Sequence, residues 1–130
     1  MRLLKPGGRL VIAHFDYLAE GGNLAAETEK LILGRNPEWP WAGSDGRYER
    51  WRPHLQAAGF SDISSFSYDE LVPYSREAWR GRMRACNGVI ALGDPEAIAA
   101  FDRDLGCLLE DHPEPLLILH RVFAIYGRAP

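Results

Sequence analysis

A proline–glycine turn followed by an apolar run constrains the fold of this chain more than any other feature. Pro6 presets the backbone angle of the second turn position, and Gly7 accepts the positive φ that a type II turn requires next. The run Arg9–Phe15 does not alternate cleanly, so it predicts a strand buried on both faces of a sheet. Residues 1–4 are typical of the last turn of a helix. Helix, turn and buried strand together predict one crossover of a parallel α/β sheet.

The composition is that of a globular protein without a basic excess. A length of 130 residues suffices for one modest core, and the prediction is a single domain over residues 1–130. The net charge of −3 argues against a dedicated nucleic-acid binder. No apolar run reaches membrane-spanning length, and the N-terminus lacks the apolar stretch of a signal peptide. Cys86 and Cys107 therefore favour reduced thiols in a cytoplasmic protein.

Helical spacing and capping residues predict the elements that follow the first strand. Asn23 is a candidate N-cap, and Asp94 followed by Pro95 is a strong helix start. Pro53 predicts a kink in its helix, and a bulge near residues 64–65 would align the apolar residues of the second strand on one face. The predicted helices are 23–33, 47–58, 75–92 and 94–111, and the further strands are 63–72 and 116–126.

The segments at residues 4–12, at residues 57–60 and at the C-terminus through residues 128–130 resemble those of one enzyme family, the class I S-adenosylmethionine-dependent methyltransferases. Residues 4–12, Leu-Lys-Pro-Gly-Gly-Arg-Leu-Val-Ile, resemble the segment leading into the fifth strand of that family. Residues 57–60, Ala-Ala-Gly-Phe, resemble the junction before its sixth strand, and the apolar C-terminal segment with residues 128–130 resembles its seventh strand and chain end. The resemblance implies a partial Rossmann-like α/β fold with a three-stranded mixed sheet in the order first, third, second. A helical insertion over residues 75–112 would then form a substrate lid.

The resemblance also implies a function. The chain would be the C-terminal, acceptor-binding part of a methyltransferase that acts on a small organic molecule. The glycine-rich cofactor loop of the family and its ribose-binding acidic residue would lie upstream of Met1. We therefore expect weak or absent S-adenosylmethionine binding and no activity for the 130 residues alone, and we assign no cofactor-binding residue. The alternative is a non-catalytic, methyltransferase-like module that pairs with another chain, and the open edge of the first strand predicts a homodimer.

The ends of the predicted strands supply the first candidate site residues. Ligands of open α/β sheets bind beyond the carboxyl ends of the parallel strands, which places His14, Asp16 and Tyr17 at the rim of a site. An imidazole is suited to accept a proton from an acceptor hydroxyl or amine, so His14 is the candidate catalytic base. A histidine packed at a strand end is the alternative. Asp16 either orients His14, binds substrate or bonds to its own backbone.

The other candidate substrate-binding residues are aromatic or basic. Trp41 lies in a loop dense in proline, glycine and tryptophan, where it either packs on the domain or forms a pocket wall. Tyr74, Trp79 and Arg82 begin the inserted helix pair and are placed at the same cleft, although Trp79 also falls on the predicted core stripe.

Two further features of the sequence are a regularly spaced row of arginines and the spacing of its histidines and cysteines. Arg76, Arg80 and Arg84 recur every four residues, either as a solvated face or as a site for an anionic group or an acidic partner. The four histidines and two cysteines have no metal-ligand spacing, so no metal site is predicted.

Overall fold

A computed structural model describes residues 3–130, and within them the chain forms three strands and five helices. The predicted α/β class is confirmed. Met1 and Arg2 lie outside the described residues, and Leu3 and Leu4 are not helical, so the predicted helix end finds no support there. In chain order the elements are β1 Arg9–Tyr17, α1 Leu24–Arg35, α2 Trp51–Ala57, β2 Ser61–Tyr74, α3 Arg76–Arg84, α4 Asn87–Ile90, α5 Pro95–Glu110 and β3 Leu116–Arg128.

The three strands form one sheet in the order β1-β3-β2, as predicted. The prediction of a mixed sheet is wrong, because both pairs of neighbouring strands are antiparallel. The physical reason is the place of β3. This strand runs opposite to β1 and β2 and lies between them, so the two strands that share a direction are never neighbours. The predicted insertion before the last strand contains α3, α4 and α5.

The residues fall into two compact units. Unit 1 contains the chain through Asp16 together with Asp45–Glu70 and His120–Pro130, and unit 2 contains Tyr17–Ser44 and Leu71–Leu119. Each strand contributes residues to both units. The prediction of a single domain over residues 1–130 stays a prediction.

Unit 2 has a large apolar core built around α5. Phe101, Leu105 and Leu109 recur at spacings of four along this helix and are all fully buried. Each such side chain contributes roughly 1.5–3 kcal/mol through removal from water. The predicted start of α5 is confirmed: the Asp94 side chain accepts a hydrogen bond from the amide of Glu96, and Pro95 takes the first helical position.

Unit 1 has a smaller core between its part of the sheet and α2. Leu55, Phe123 and Ile125 are its buried members. Gly127 allows close strand packing, because an added Cβ would lie 3.2 Å from both the Cγ1 of Ile63 and the carbonyl oxygen of Ser61. The predicted kink at Pro53 is not needed, since α2 begins at Trp51 and a proline in the first turn removes no helical hydrogen bond.

One face of the sheet in unit 1 is exposed, which corrects two predictions. β1 is not buried on both faces: Leu10 and Ile12 pack on the core, whereas Val11 and Phe15 are 58% and 45% exposed. β2 alternates likewise from Ile63 to Tyr68, so the predicted bulge near residues 64–65 does not bring Ile63 and Phe66 to one face. Phe66 and Tyr68 are 52% and 54% exposed on the face away from the core. We call the residues Val11, Phe15, Phe66 and Tyr68 the open face.

Candidate functional site

The sequence-predicted site residues separate into two clusters, one in each unit. The structure brings Tyr17, Tyr74, Trp79 and Arg82 together in unit 2, and His14 and Asp16 together in unit 1. Each cluster also contains a residue that the sequence reasoning missed. These are Glu29 in unit 2 and Tyr48 in unit 1.

Glu29 is the central polar group of the unit 2 cluster. It lies on α1, is only 8% exposed, and its Oε2 accepts a hydrogen bond of 2.9 Å from the amide of Gly43. The Tyr17 hydroxyl donates a second hydrogen bond to the same carboxylate. Sequence could have revealed it, because Ala25, Glu29 and Ile32 share the spacing of a buried helical stripe. A carboxylate on such a stripe requires built-in hydrogen-bond donors.

Burial sets the proton chemistry of this cluster. It raises the pKa of the Glu29 carboxyl, and the hydrogen bonds from Gly43 and Tyr17 only partly oppose this. Burial also raises the pKa of the Tyr17 phenol far above its ordinary value, with further contributions from Cys86 and Glu29, while Arg82 acts in the opposite direction. Tyr17 therefore remains a neutral hydrogen-bond donor, and Glu29 is the group of this cluster suited to accept a proton.

Aromatic rings hold Tyr17 in place. The Tyr17 ring meets Trp79 edge-on with centroids 5.4 Å apart, and Tyr74 meets the same indole at 5.3 Å. Trp79 itself is fully buried, and its Nε1 donates a 3.2 Å hydrogen bond to the Oγ1 of Thr28. The buried Trp79 ring therefore packs against both tyrosines and holds them in position. Its assignment as a direct substrate contact stays a prediction.

Two further candidates of unit 2 differ in exposure. Arg82 is half-buried, and its guanidinium lies close enough to Tyr17 to act on the phenol. Trp41 is 42% exposed and lies two residues before Gly43, the amide donor to Glu29. The two predicted alternatives for Trp41, packing on the domain or forming a pocket wall, both stay predictions.

The unit 1 cluster joins His14 and Asp16 through Tyr48. The imidazole of His14 stacks on the Tyr48 ring with centroids 3.6 Å apart and planes 12° apart. The Tyr48 hydroxyl donates a hydrogen bond to the Asp16 carboxylate, and the Arg50 guanidinium lies 4.8 Å from the Tyr48 ring centroid. Asp16 thus orients Tyr48, which in turn fixes the plane of His14. Tyr48 lies more than thirty residues away in sequence, so no local pattern could have paired it with His14.

The Nε2 atom of His14 is buried and has no hydrogen-bond partner among residues 3–130. An unsatisfied buried nitrogen costs about 1–3 kcal/mol, and a polar group that bonded to this atom would remove that cost. The catalytic role of His14 stays a prediction.

The predicted arginine row is neutralised within unit 2. Arg80 and Arg84 both donate hydrogen bonds to the Asp102 carboxylate on α5, and Arg84 also reaches Glu77. Arg76 donates to the carbonyl oxygens of Glu110 and His112. Burial raises the pKa of Asp102, but the hydrogen bonds from Arg80 and Arg84 outweigh it and hold the pKa below its ordinary value. The row is therefore a structural ion-pair network, and neither predicted alternative describes it.

Comparison with known proteins adds no identification. No protein-family model matches the chain, and a search of curated proteins finds no relative. Among residues 3–130, no three histidine, cysteine, aspartate or glutamate side chains are placed to hold a metal ion. In the same part of the chain, no helix has both the length and the apolar character needed to cross a membrane.

Proposed function

We propose that this chain is the C-terminal, acceptor-binding part of an S-adenosylmethionine-dependent methyltransferase that acts on a small organic molecule. The observation that carries the proposal is the strand order β1-β3-β2, with a reversed central strand and a helical segment inserted before it. The resemblance of the turn at Pro6-Gly7 implies this arrangement. The proposal includes a cytoplasmic location, supported by two free cysteines.

Within unit 2 the acceptor would meet the Tyr17 cluster. Tyr17 would donate a hydrogen bond, Arg82 would bind a negatively charged or carbonyl group, and Glu29 would take up the proton that a hydroxyl or amine acceptor loses. Tyr74 and Trp41 would contribute apolar contacts, with Trp79 behind the tyrosines. The alternative acceptor for that proton is His14 in unit 1, oriented by Tyr48 and Asp16.

The described residues do not fit the methyl donor by themselves. The strand-to-helix turn after β1 contains Gly21 and Gly22, both with positive φ. A Cβ added at either position would meet nothing within 4 Å, so these glycines do not form a cradle that requires a bare backbone. We therefore assign no step to the donor here and expect its site to depend on residues outside this chain.

The test begins with calorimetry of S-adenosylmethionine against the 130 residues, followed by a transfer assay. The gene product, with any natural coding sequence upstream, is incubated with a methyl-labelled donor and a mixture of small hydroxyl- and amine-bearing metabolites. We expect a labelled small product, reduced by H14Q, by E29Q or by both. A gene that encodes nothing upstream, together with no donor binding, would overturn the proposal.

A second candidate function is a non-catalytic module that pairs with another copy of this chain. The observation that favours it is the open face, together with the outer edge of β1, which has no paired strand among residues 3–130. Light scattering tests it: a concentration-dependent dimer that the double substitution F66S/Y68S dissolves supports the module. A monomer at every concentration contradicts it.

A further inference from the structure

A pocket at the start of β1 lies entirely among unit 1 residues and takes no part in the proposed methyl transfer. Its volume is about 320 Å³, which falls in the range of small-ligand sites. Two arginines, two hydroxyl groups and one carboxylate supply its polar lining. The residues are Arg9, Asp62, Ser64, Tyr126, Gly127 and Arg128, and we call this the Arg9 pocket.

Two arginines face each other across the strands of this pocket. The amide of Ala129 donates to the carbonyl oxygen of Gly8, and the antiparallel register that follows places Arg9 opposite Arg128. Like charges directly opposite on neighbouring strands are destabilising. Arg9 has no carboxylate at ion-pair distance among residues 3–130. An arrangement of this kind is stabilised when an anion lies between the two guanidinium groups.

Asp62 neutralises only one of the two arginines. Its Oδ2 lies 3.2 Å from the Nε of Arg128. Asp62 has a φ of +51°, a conformation that non-glycine residues adopt rarely and that aspartate tolerates better than most. Two guanidinium groups and one carboxylate leave the pocket with a net charge of +1. A single carboxylate group, with a charge of −1, would neutralise this pocket. A phosphate dianion would leave one negative charge without a partner.

Neutral donors complete the pocket. Ser64 and Tyr126, each of which carries a hydroxyl group, are among the residues that line it. Gly127 lies between Tyr126 and Arg128, and its lack of a side chain keeps the strands close at this point. The pocket thus presents charged and neutral donors around a space large enough for a small organic acid.

We infer that the Arg9 pocket binds the carboxylate group of a small organic molecule. Arg9 supplies the bidentate contact, because its guanidinium is the uncommitted one. Arg128, held by Asp62, supplies the second charge, and the Tyr126 ring offers an apolar surface to the remainder of the ligand. This inference does not rest on the methyltransferase proposal, since it concerns unit 1 residues that the proposal does not use.

The test is a nuclear magnetic resonance titration of the ¹⁵N-labelled 130-residue protein with sodium acetate and sodium benzoate at constant ionic strength. We expect saturable shifts of the Gly127 and Ser64 amides in the millimolar range, with benzoate tighter than acetate. R9Q should weaken the binding of acetate and of benzoate by about tenfold each, which is the effect of losing one charge-assisted contact. Shifts that do not saturate, or that R9Q leaves unchanged, would overturn the inference.

Two further variants test whether the effect is specific to Arg9 and how it depends on the charge of the pocket. R103Q removes an exposed arginine of unit 2 whose nearest carboxylate, Glu96, is 3.7 Å away, and it should leave carboxylate binding unchanged. D62N preserves the positive φ, because asparagine also tolerates it. It raises the net charge of the pocket, so it should strengthen phosphate binding more than acetate binding. Phosphate binding tighter than acetate binding in the unsubstituted protein would contradict the carboxylate assignment.

Discussion

Unit 2 and unit 1 differ in how far their apolar side chains are buried. In the described part of the chain, the core cluster of unit 2 has eleven buried members and that of unit 1 has three. Unit 2 encloses its aromatic rings, Trp79 and Phe101 among them, whereas unit 1 leaves the rings of Phe15, Phe66 and Tyr68 in solvent. Stability is therefore concentrated in unit 2, and unit 1 retains surface that is available for binding.

Buried polar groups occur in both units. In unit 2 the buried indole of Trp79 donates to Thr28, and the Glu29 carboxylate has two donors. In unit 1 the Nε2 of His14 and the Nε1 of Trp51 have no partner among residues 3–130. Satisfied buried groups fix a single packing, while unsatisfied ones remain available to a ligand. A matched pair of substitutions compares the two units first, two further variants probe unit 2, and the last variant probes unit 1.

The largest effect is expected from a matched pair of phenylalanine substitutions. F101A removes a fully buried ring from unit 2 and should lower the free energy of unfolding by about 3–5 kcal/mol. F66A removes a ring of the open face and should change it by less than about 0.5 kcal/mol. Urea denaturation followed by far-ultraviolet circular dichroism measures both. Equal losses would mean that the open face is covered in solution.

The ion-pair network of unit 2 should give the next largest effect. D102N removes the carboxylate shared by Arg80 and Arg84 and should cost about 1–3 kcal/mol at neutral pH. Because the folded pKa of Asp102 is lowered, its stabilisation is present above the unfolded pKa and disappears as pH falls through the folded value. D104N is the control, since Asp104 is half-exposed and, among residues 3–130, pairs with Arg35 alone. Equal losses in the two variants would contradict the network.

Glu29 should give a pH dependence of opposite sign. Its folded pKa is raised, so its contribution to stability is fully present below the unfolded pKa and is lost as pH rises through the folded value. E29Q mimics the protonated form and should remove this loss, which makes it more stable than the unsubstituted protein by about 1 kcal/mol or less at alkaline pH. Thermal melts across pH measure it. A parallel pH profile in E29Q would exclude Glu29 as the titrating group.

The smallest effect belongs to the Arg9 pocket. R9Q relieves the repulsion between Arg9 and Arg128 and should raise the free energy of unfolding by about 0.2–0.5 kcal/mol without added anion. A carboxylate ligand should reverse the order, because it stabilises the unsubstituted protein more than R9Q. Denaturation with and without benzoate measures this, and R103Q again serves as the control. A loss of stability in R9Q without ligand would mean that Arg9 has a structural partner.

Local sequence signals predicted the starts of three helices and missed the exposed face. The helix predicted over 47–58 begins at Trp51, and the one predicted over 75–92 is interrupted between Arg84 and Asn87. The side chains of Asn23, Ser75 and Asp94 cap α1, α3 and α5, because capping depends on only three or four neighbouring residues. The apolar run of β1 suggested burial on both faces. Whether a face is covered depends on the rest of the tertiary structure, so periodicity could not decide it.

The candidate site was predictable to a similar degree. Strand ends pointed to His14, Asp16 and Tyr17, since the ends of strands follow from the elements themselves. The spacing of Glu29 from Ala25 and Ile32 indicates a buried position, so the sequence contained a signal for it. The contact of Tyr48 with His14 could not be predicted from the sequence, because it is set by the path of a loop.

The tryptophans are distributed unevenly between the two units, so intrinsic fluorescence reports more on one unit than on the other. Trp39, Trp41 and Trp79 belong to unit 2, and Trp51 alone among the four belongs to unit 1. Intrinsic fluorescence therefore follows mainly the melting of unit 2, with the buried Trp79 as its most environment-sensitive emitter. A fluorescence melt could show one clean transition while the sheet around the Arg9 pocket had already frayed. Amide exchange at Gly127 would detect that fraying directly.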